Sequence, residues 1–145
     1  MESLEKSVER YLAFNADKLP SDKIPTLKNK LISDESLYNR LRLFELKDPN
    51  AQLLISVFFG KLGIDRFLIN EKVSGALKLV FCLIGYGCLF TVLMIGWFDD
   101  RNVLVHFLAV VYLISNIIWI VDICQIRRLT QTYNYELIMR LINFT

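Results

Sequence analysis

Two apolar runs, Val73 to Phe98 and Val103 to Ile126, constrain this chain more than any other feature. Each exceeds the roughly 20 residues that a helix needs to cross a bilayer, and only Asp99-Asp100-Arg101-Asn102 separates them. In hydrocarbon every backbone N–H and C=O must be satisfied inside the segment or by a closed barrel, so runs of this length and spacing read as helices. The first run carries a single charge, Lys78, near its start, from where the ammonium can snorkel to the interface. The second has His106 near one end and Asp122 near the other, and Trp97 and Trp119 lie where interfacial aromatic anchors are expected. The expected fold class is all-α: an integral membrane hairpin or bundle of two to three transmembrane helices with a small soluble helical module in front.

The third span is open. Ala51 to Phe59 is apolar but only nine residues long, so a crossing there would have to continue through Lys61 and Asp65-Arg66. The stretch from Phe58 to Ile69 places Gly60 and Gly63 three residues apart and then sets an acid beside a base. Small residues at that spacing let two backbones approach closely. The charges must pair, snorkel or stay at the interface, because an unpaired charge in hydrocarbon costs at least a few kcal/mol. Two readings follow, a hairpin corner with Asp65 and Arg66 as local glue, and a buried pair used for ion passage or recognition. If residues 51–69 only dip into the membrane, both tails lie on one side. Nine of the seventeen Lys/Arg precede residue 51, and Arg127, Arg128 and Arg140 follow Ile126, against Arg101 between the runs. The positive-inside tendency therefore favours dipping, with a cytosolic N-terminus.

The first 47 residues read as three short helices. Leu4, Val8, Tyr11 and Leu12 share one helical face, ended by Asn15, Asp17 and Pro20. Ile24, Leu27 and Leu31 define a second, with Ser21 or Asp22 as cap and Pro25 in its first turn. Ser33 or Asp34 caps a third, bearing Leu37, Leu41 and Phe44. A core this small is marginal alone and is expected to lean on the membrane part, a second copy or a partner. Lys47-Asp48-Pro49 marks the next helix start, Asp48 as N-cap and Pro49 at N1. Beyond Arg128, Leu129, Tyr133, Leu137 and Leu141 keep helical spacing, as in an amphipathic surface helix or a continuation of the last span.

Composition excludes more than it assigns. A net charge of +2 gives no footprint for nucleic acid. Cys82, Cys88 and Cys124 sit singly in apolar runs, which suits neither a disulfide framework nor a metal site. Glu2-Ser3-Leu4-Glu5-Lys6 lacks the apolar centre of a signal peptide. One histidine, no ligand spacing and no nucleophile–base set give no catalytic residues, so neither an enzyme nor a cofactor is expected. The leading expectation is a non-enzymatic interaction, assembly or anchoring protein whose partners are the lipid bilayer, further copies of itself and a protein bound through the N-terminal module. The alternative is an oligomeric channel or pore-forming effector, with His106 and Asp122 lining the path.

Gly60-x-x-Gly63-x-Asp65-Arg66-Phe67, followed by Gly75-Ala76-Leu77-Lys78-Leu79 and, later, Ile118-Trp119-x-x-Asp122, resembles the TM2 domain family. The Lys47-Asp48-Pro49 entry and Tyr133-Asn134-Tyr135-Glu136 are similar to small bacterial members with a charged helical N-terminal segment. The resemblance implies a bacterial inner-membrane protein of a family mostly without established enzymatic activity. It gives Gly60, Gly63, Asp65, Arg66, Phe67, Gly75, Trp119 and Asp122 as motif residues. Two departures stand out. Asn70 occupies a position where the family usually has glycine, and asparagine is the next residue best able to turn left-handed. Leu79 is also far from Trp119, which implies an insertion of about 81–116. The domain reading is thus 1–47 cytosolic module, 48–126 membrane domain with that insertion, and 127–145 C-terminal helix.

Overall fold

A computed structural model describes residues 3–96 and 103–143, and among them all regular structure is helical. The helices are α1 (Leu4–Phe14), α2 (Ile24–Ser33), α3 (Glu35–Leu41), α4 (Pro49–Phe59), α5 (Ile64–Leu68), α6 (Lys72–Gly96) and α7 (Val103–Asn143). Trp97 and the polar sequence Asp99-Asp100-Arg101-Asn102 lie outside the described residues. Two compact units are present: residues 1–52 with 127–145, and residues 53–126.

The first unit has a conventional core. Val8 and Leu12 of α1, Leu27 and Leu31 of α2, and Leu37 and Leu41 of α3 are buried together, as the periodicity predicts, and Tyr38 of α3 joins them. Asp34 caps α3, accepting from the backbone N–H of Ser36 at 2.9 Å and of Leu37 at 3.2 Å. Ser21 and Asp22 do not cap α2; they form a 3-10 turn ahead of it, and no side chain bonds its first turn. Helix α3 ends at Leu41, so Phe44 leaves the predicted face and is exposed.

The same core includes Ile138 of α7, fully buried, with Leu141 and Ile142 against it. The small N-terminal module thus completes its core with the end of the chain. Asn134, one turn before Ile138, is the polar counterpart: its Nδ2 donates to the carbonyls of Lys18 at 2.9 Å and Lys47 at 2.8 Å, and its Oδ1 accepts from the Lys47 N–H at 3.1 Å. One buried amide satisfies three backbone groups from two loops, groups that would otherwise be costly to bury.

The second unit is built inside out. Leu83, Phe90 and Leu93 of α6 and Phe107, Leu113 and Ile117 of α7 all expose more than half of their surface. Lys72–Met94 and His106–Asn143 are helices apolar and long enough to cross a bilayer, their most apolar stretches having mean hydropathy 2.1 and 2.2. Only 11% and 6% of their most apolar stretches are buried in the protein, which rules them out as core helices of a water-soluble domain. These are membrane helices.

Residues 51–69 do not form a third. Helix α4 stops at Phe59, a 3-10 turn covers Gly60–Leu62, Gly63 adopts a left-handed conformation (φ 74°) and α5 lasts five residues. At 1.5 Å per residue α4 spans about 16 Å, half of the hydrocarbon thickness. A second left-handed residue, Asn70 (φ 63°), turns the chain into α6. The Asn-for-Gly departure therefore keeps the backbone that glycine would give.

Candidate functional site

The break after α4 sets the geometry of a buried ionic cluster. Because Gly63 has no Cβ, its backbone packs on that of Gly75 in α6; a Cβ there would fall 2.3 Å from the Gly75 carbonyl oxygen. Gly75 in turn accepts Phe67 of α5 at contact distance. Gly60 fits between Ser56 and the indole of Trp119, where an added Cβ would come within 2.9 Å of the serine oxygen. Gly63, Phe67 and Gly75 thus dock a short helix against α6, and Gly60 seats the preceding turn against Trp119 of α7.

That docking buries Asp65 completely and Arg66 nearly so. Adjacent residues on a helix diverge by about 100°, and these two do not form the side-chain pair the sequence suggests. Asp65 instead accepts from Ser56 Oγ at 2.9 Å and pairs with Lys78 Nζ at 2.8 Å. Arg66 pairs with Glu71 at 2.7 Å and with Asp122 of α7. Lys78 also reaches Asp122, and at 15% side-chain exposure it is a cluster member and does not snorkel. The four buried charges, Asp65, Arg66, Lys78 and Asp122, cancel; Glu71 is 40% exposed and screened by solvent. Every buried charge has an opposite partner, as a low-dielectric site requires.

Trp119, read from sequence as an interfacial anchor, lies inside the unit. Its indole N–H donates to the Ser56 carbonyl at 3.3 Å and its ring underlies the Lys61 ammonium at 4.7 Å. The reason is that α7 continues to Asn143, so residue 119 is not near a helix end. Lys61, read from sequence only as a charge through which a third span would have to continue, donates to Asn116 Oδ1 at 2.6 Å and approaches the Tyr86 ring at 5.7 Å. A cavity of about 50 Å³ adjoins it, lined among others by Lys61, Lys78, Tyr86, Ser115, Asn116 and Asp122. The missed signal was Lys61 itself, a charge within an apolar run whose nearest acid in sequence, Asp65 four residues on, is taken by Ser56 and Lys78.

His106 is not part of this site. It is exposed on α7, sixteen residues from Asp122 and so about 24 Å along the helix axis. Among the described residues no group of His, Cys, Asp and Glu has the arrangement of a metal site.

The sequence profile of the TM2 domain matches residues 45–98. The match takes in α4, α5 and α6, and with them Gly60, Gly63, Asp65, Arg66, Phe67 and Gly75. It includes residues 81–98, which the resemblance had set aside as inserted, and it ends before Trp119 and Asp122. The α7 side of the cluster therefore lies outside the matched region. No curated protein and no solved structure matches the chain.

Proposed function

Starting from a chain that carries a TM2 domain at residues 45–98, we propose that it is a non-enzymatic membrane anchor for a cytosolic interaction module. The observation that carries this reading is the shared core of the first unit, in which α1–α3 close over Ile138 and Asn134 of α7. A module held to membrane helices at both of its chain connections, through α4 and α7, suits a docking platform. The N-terminal segment and the chain end then occupy one side of the membrane. Its Lys/Arg load, nine residues before position 51 and three after 126, supports the cytosol as that side and a bacterial inner membrane as the location. The module keeps Phe14 78% and Leu43 84% exposed, well above what its own core uses, and these offer a partner protein an apolar foothold. Copies of the chain associate through the membrane helices, where Gly87 leaves open space beside α6.

The test leaves the shared core intact. Phe14→Ser with Leu43→Ser in the full-length protein should abolish capture of a crosslinked partner from the native membrane while expression and insertion stay at wild-type level. An unchanged set of crosslinked partners would remove the docking role. Steady single-channel currents from purified protein in liposomes, abolished by Asp122→Asn, would replace it with a channel.

A further inference from the structure

Within the membrane unit, depth can be followed along α7, whose apolar run ends at Ile126 and which rises about 1.5 Å per residue. Descending α4 meets Trp119 through the Ser56 carbonyl, seven residues or about 10 Å below Ile126. Lys61, in the turn that follows, bonds Asn116, ten residues or about 15 Å below. Arg66 of α5 then pairs with Asp122, only four residues or about 6 Å below, and α6 opens at Lys72. Successive contacts thus run down to the middle of a hydrocarbon layer about 30 Å thick and come back up.

The polar side chains of this dip turn inward: Ser56, Asp65 and Arg66 are buried and spend their bonds on one another's neighbours in the ionic cluster. Its outward face is apolar. Leu54, Phe58 and Phe59 of α4 and Phe67 and Leu68 of α5 are exposed, Phe58 by 75%. They continue, at the same depth, the exposed surface of Leu77 and Val80 in α6 and of Ile117 and Ile120 in α7. The occupant this face fits is therefore the acyl chains of the bilayer that α6 and α7 already require.

The consequence is a lopsided cross-section. In the half of the layer that α4 enters, α4, α5, α6 and α7 all displace lipid, each about 10 Å across. Beyond Lys61, among the described residues, only α6 and α7 continue. A body wide in one leaflet and narrow in the other fits best where the wide leaflet is expanded, which is the convex side of a curved bilayer.

We infer that residues 53–71 form a one-leaflet wedge that makes this chain a sensor of membrane curvature, favouring lipid that is convex toward the side from which α4 enters. Recognition is of bilayer shape and requires neither a particular headgroup nor a partner protein.

The wedge is tested with full-length protein labelled on its α-amino group with a dye that a membrane-impermeant reductant bleaches. It is reconstituted at high dilution into phosphatidylcholine vesicles of mixed size. No apolar run long enough to cross precedes α4, so the label reports the side from which α4 enters. Protein per lipid area is read vesicle by vesicle, before and after bleaching. Outward-facing copies should be at least about twofold denser on vesicles of about 50 nm than on those of about 200 nm, and inward-facing copies should show the opposite trend. High dilution removes crowding by the water-exposed module, and opposite signs cannot arise from a size-dependent yield of reconstitution. Phe58→Ala with Phe59→Ala trims the lipid-facing side only and should flatten both trends with little change in thermal midpoint. Density independent of diameter in both orientations overturns the wedge, and is the result expected if a second copy covers the α4–α5 face. The same trend in both orientations, or a wild-type trend in the folded double variant, also overturns it. Should the double variant fail to fold, the two orientations of the wild-type protein decide.

Discussion

Arg66 is the residue on which the membrane unit turns, because it ties Glu71, just ahead of α6, to Asp122 of α7. Truncating it leaves Asp122 with Lys78 only and strips a buried carboxylate of one cation. Breaking such a pair costs about 3–5 kcal/mol. Arg66→Ala is therefore expected to lower the detergent-solubilised protein's unfolding free energy by that amount, measured by denaturant titration, and wild-type stability would show the pair to be solvated. Arg66→Lys should fall between, since a single ammonium cannot fork across two carboxylates. The glycines separate as sharply. Gly63→Ala meets both a positive φ and a carbonyl 2.3 Å away, so it should abolish folding of the unit, whereas Gly87→Ala, with open space around it, should be neutral or raise the thermal midpoint. Part of this was legible in the residues: Gly63 and Asn70 follow from sequence. The Asp65–Lys78 pair did not, because chain adjacency hides the divergence of neighbouring helical side chains, and only the turn at Gly63 brings Lys78 opposite Asp65.

Among the elements, α3 and α7 respond to different chemistry. Asp34 holds α3 by its cap, and the hydrogen bonds from the Ser36 side chain and then the Leu37 N–H keep its carboxyl below the usual carboxylate range. A depressed folded-state value means that the stabilisation is present above the unfolded pKa, near 3.8, and is lost as pH falls through the folded value. Asp34→Asn keeps a capping acceptor but cannot titrate, so its thermal midpoint should fall less steeply than that of the wild type below about pH 4. Identical acid limbs would show that the cap carries no charge dependence. In α7 the decisive stripe is Thr130, Asn134 and Ile138, all buried at four-residue spacing. Sequence reading picked Leu141, which packs against that core, but otherwise Leu129, Tyr133 and Leu137, one residue off, because a core stripe with two polar members is invisible to hydrophobic periodicity. Asn134→Leu should cost about 2–4 kcal/mol, for it orphans backbone groups of Lys18 and Lys47. An Asn134→Leu variant with an unchanged denaturation midpoint would show those groups to be hydrated.

At the scale of the whole molecule the two long apolar runs announced a membrane protein, and the all-helical architecture followed from them. What sequence could not resolve was the status of residues 51–69, since hydropathy registers composition and cannot see that Gly60–Leu62 and Gly63 end the helix at half a bilayer. It left the C-terminal segment as either a surface helix or a continuation of the last span; α7 runs on unbroken to Asn143, and its Ile138 lies in the core of the N-terminal module. With two membrane helices and one unit built from both ends of the chain, the N- and C-terminal segments are predicted to lie on the same side of the membrane. The direct test replaces the native cysteines by serine and introduces single cysteines at Ser3 or Thr145. Each variant is labelled with a membrane-impermeant maleimide in right-side-out and inside-out vesicles. Both positions should react only in inside-out vesicles, at comparable rates; labelling of Ser3→Cys and Thr145→Cys from opposite faces would contradict the shared unit and require a third crossing.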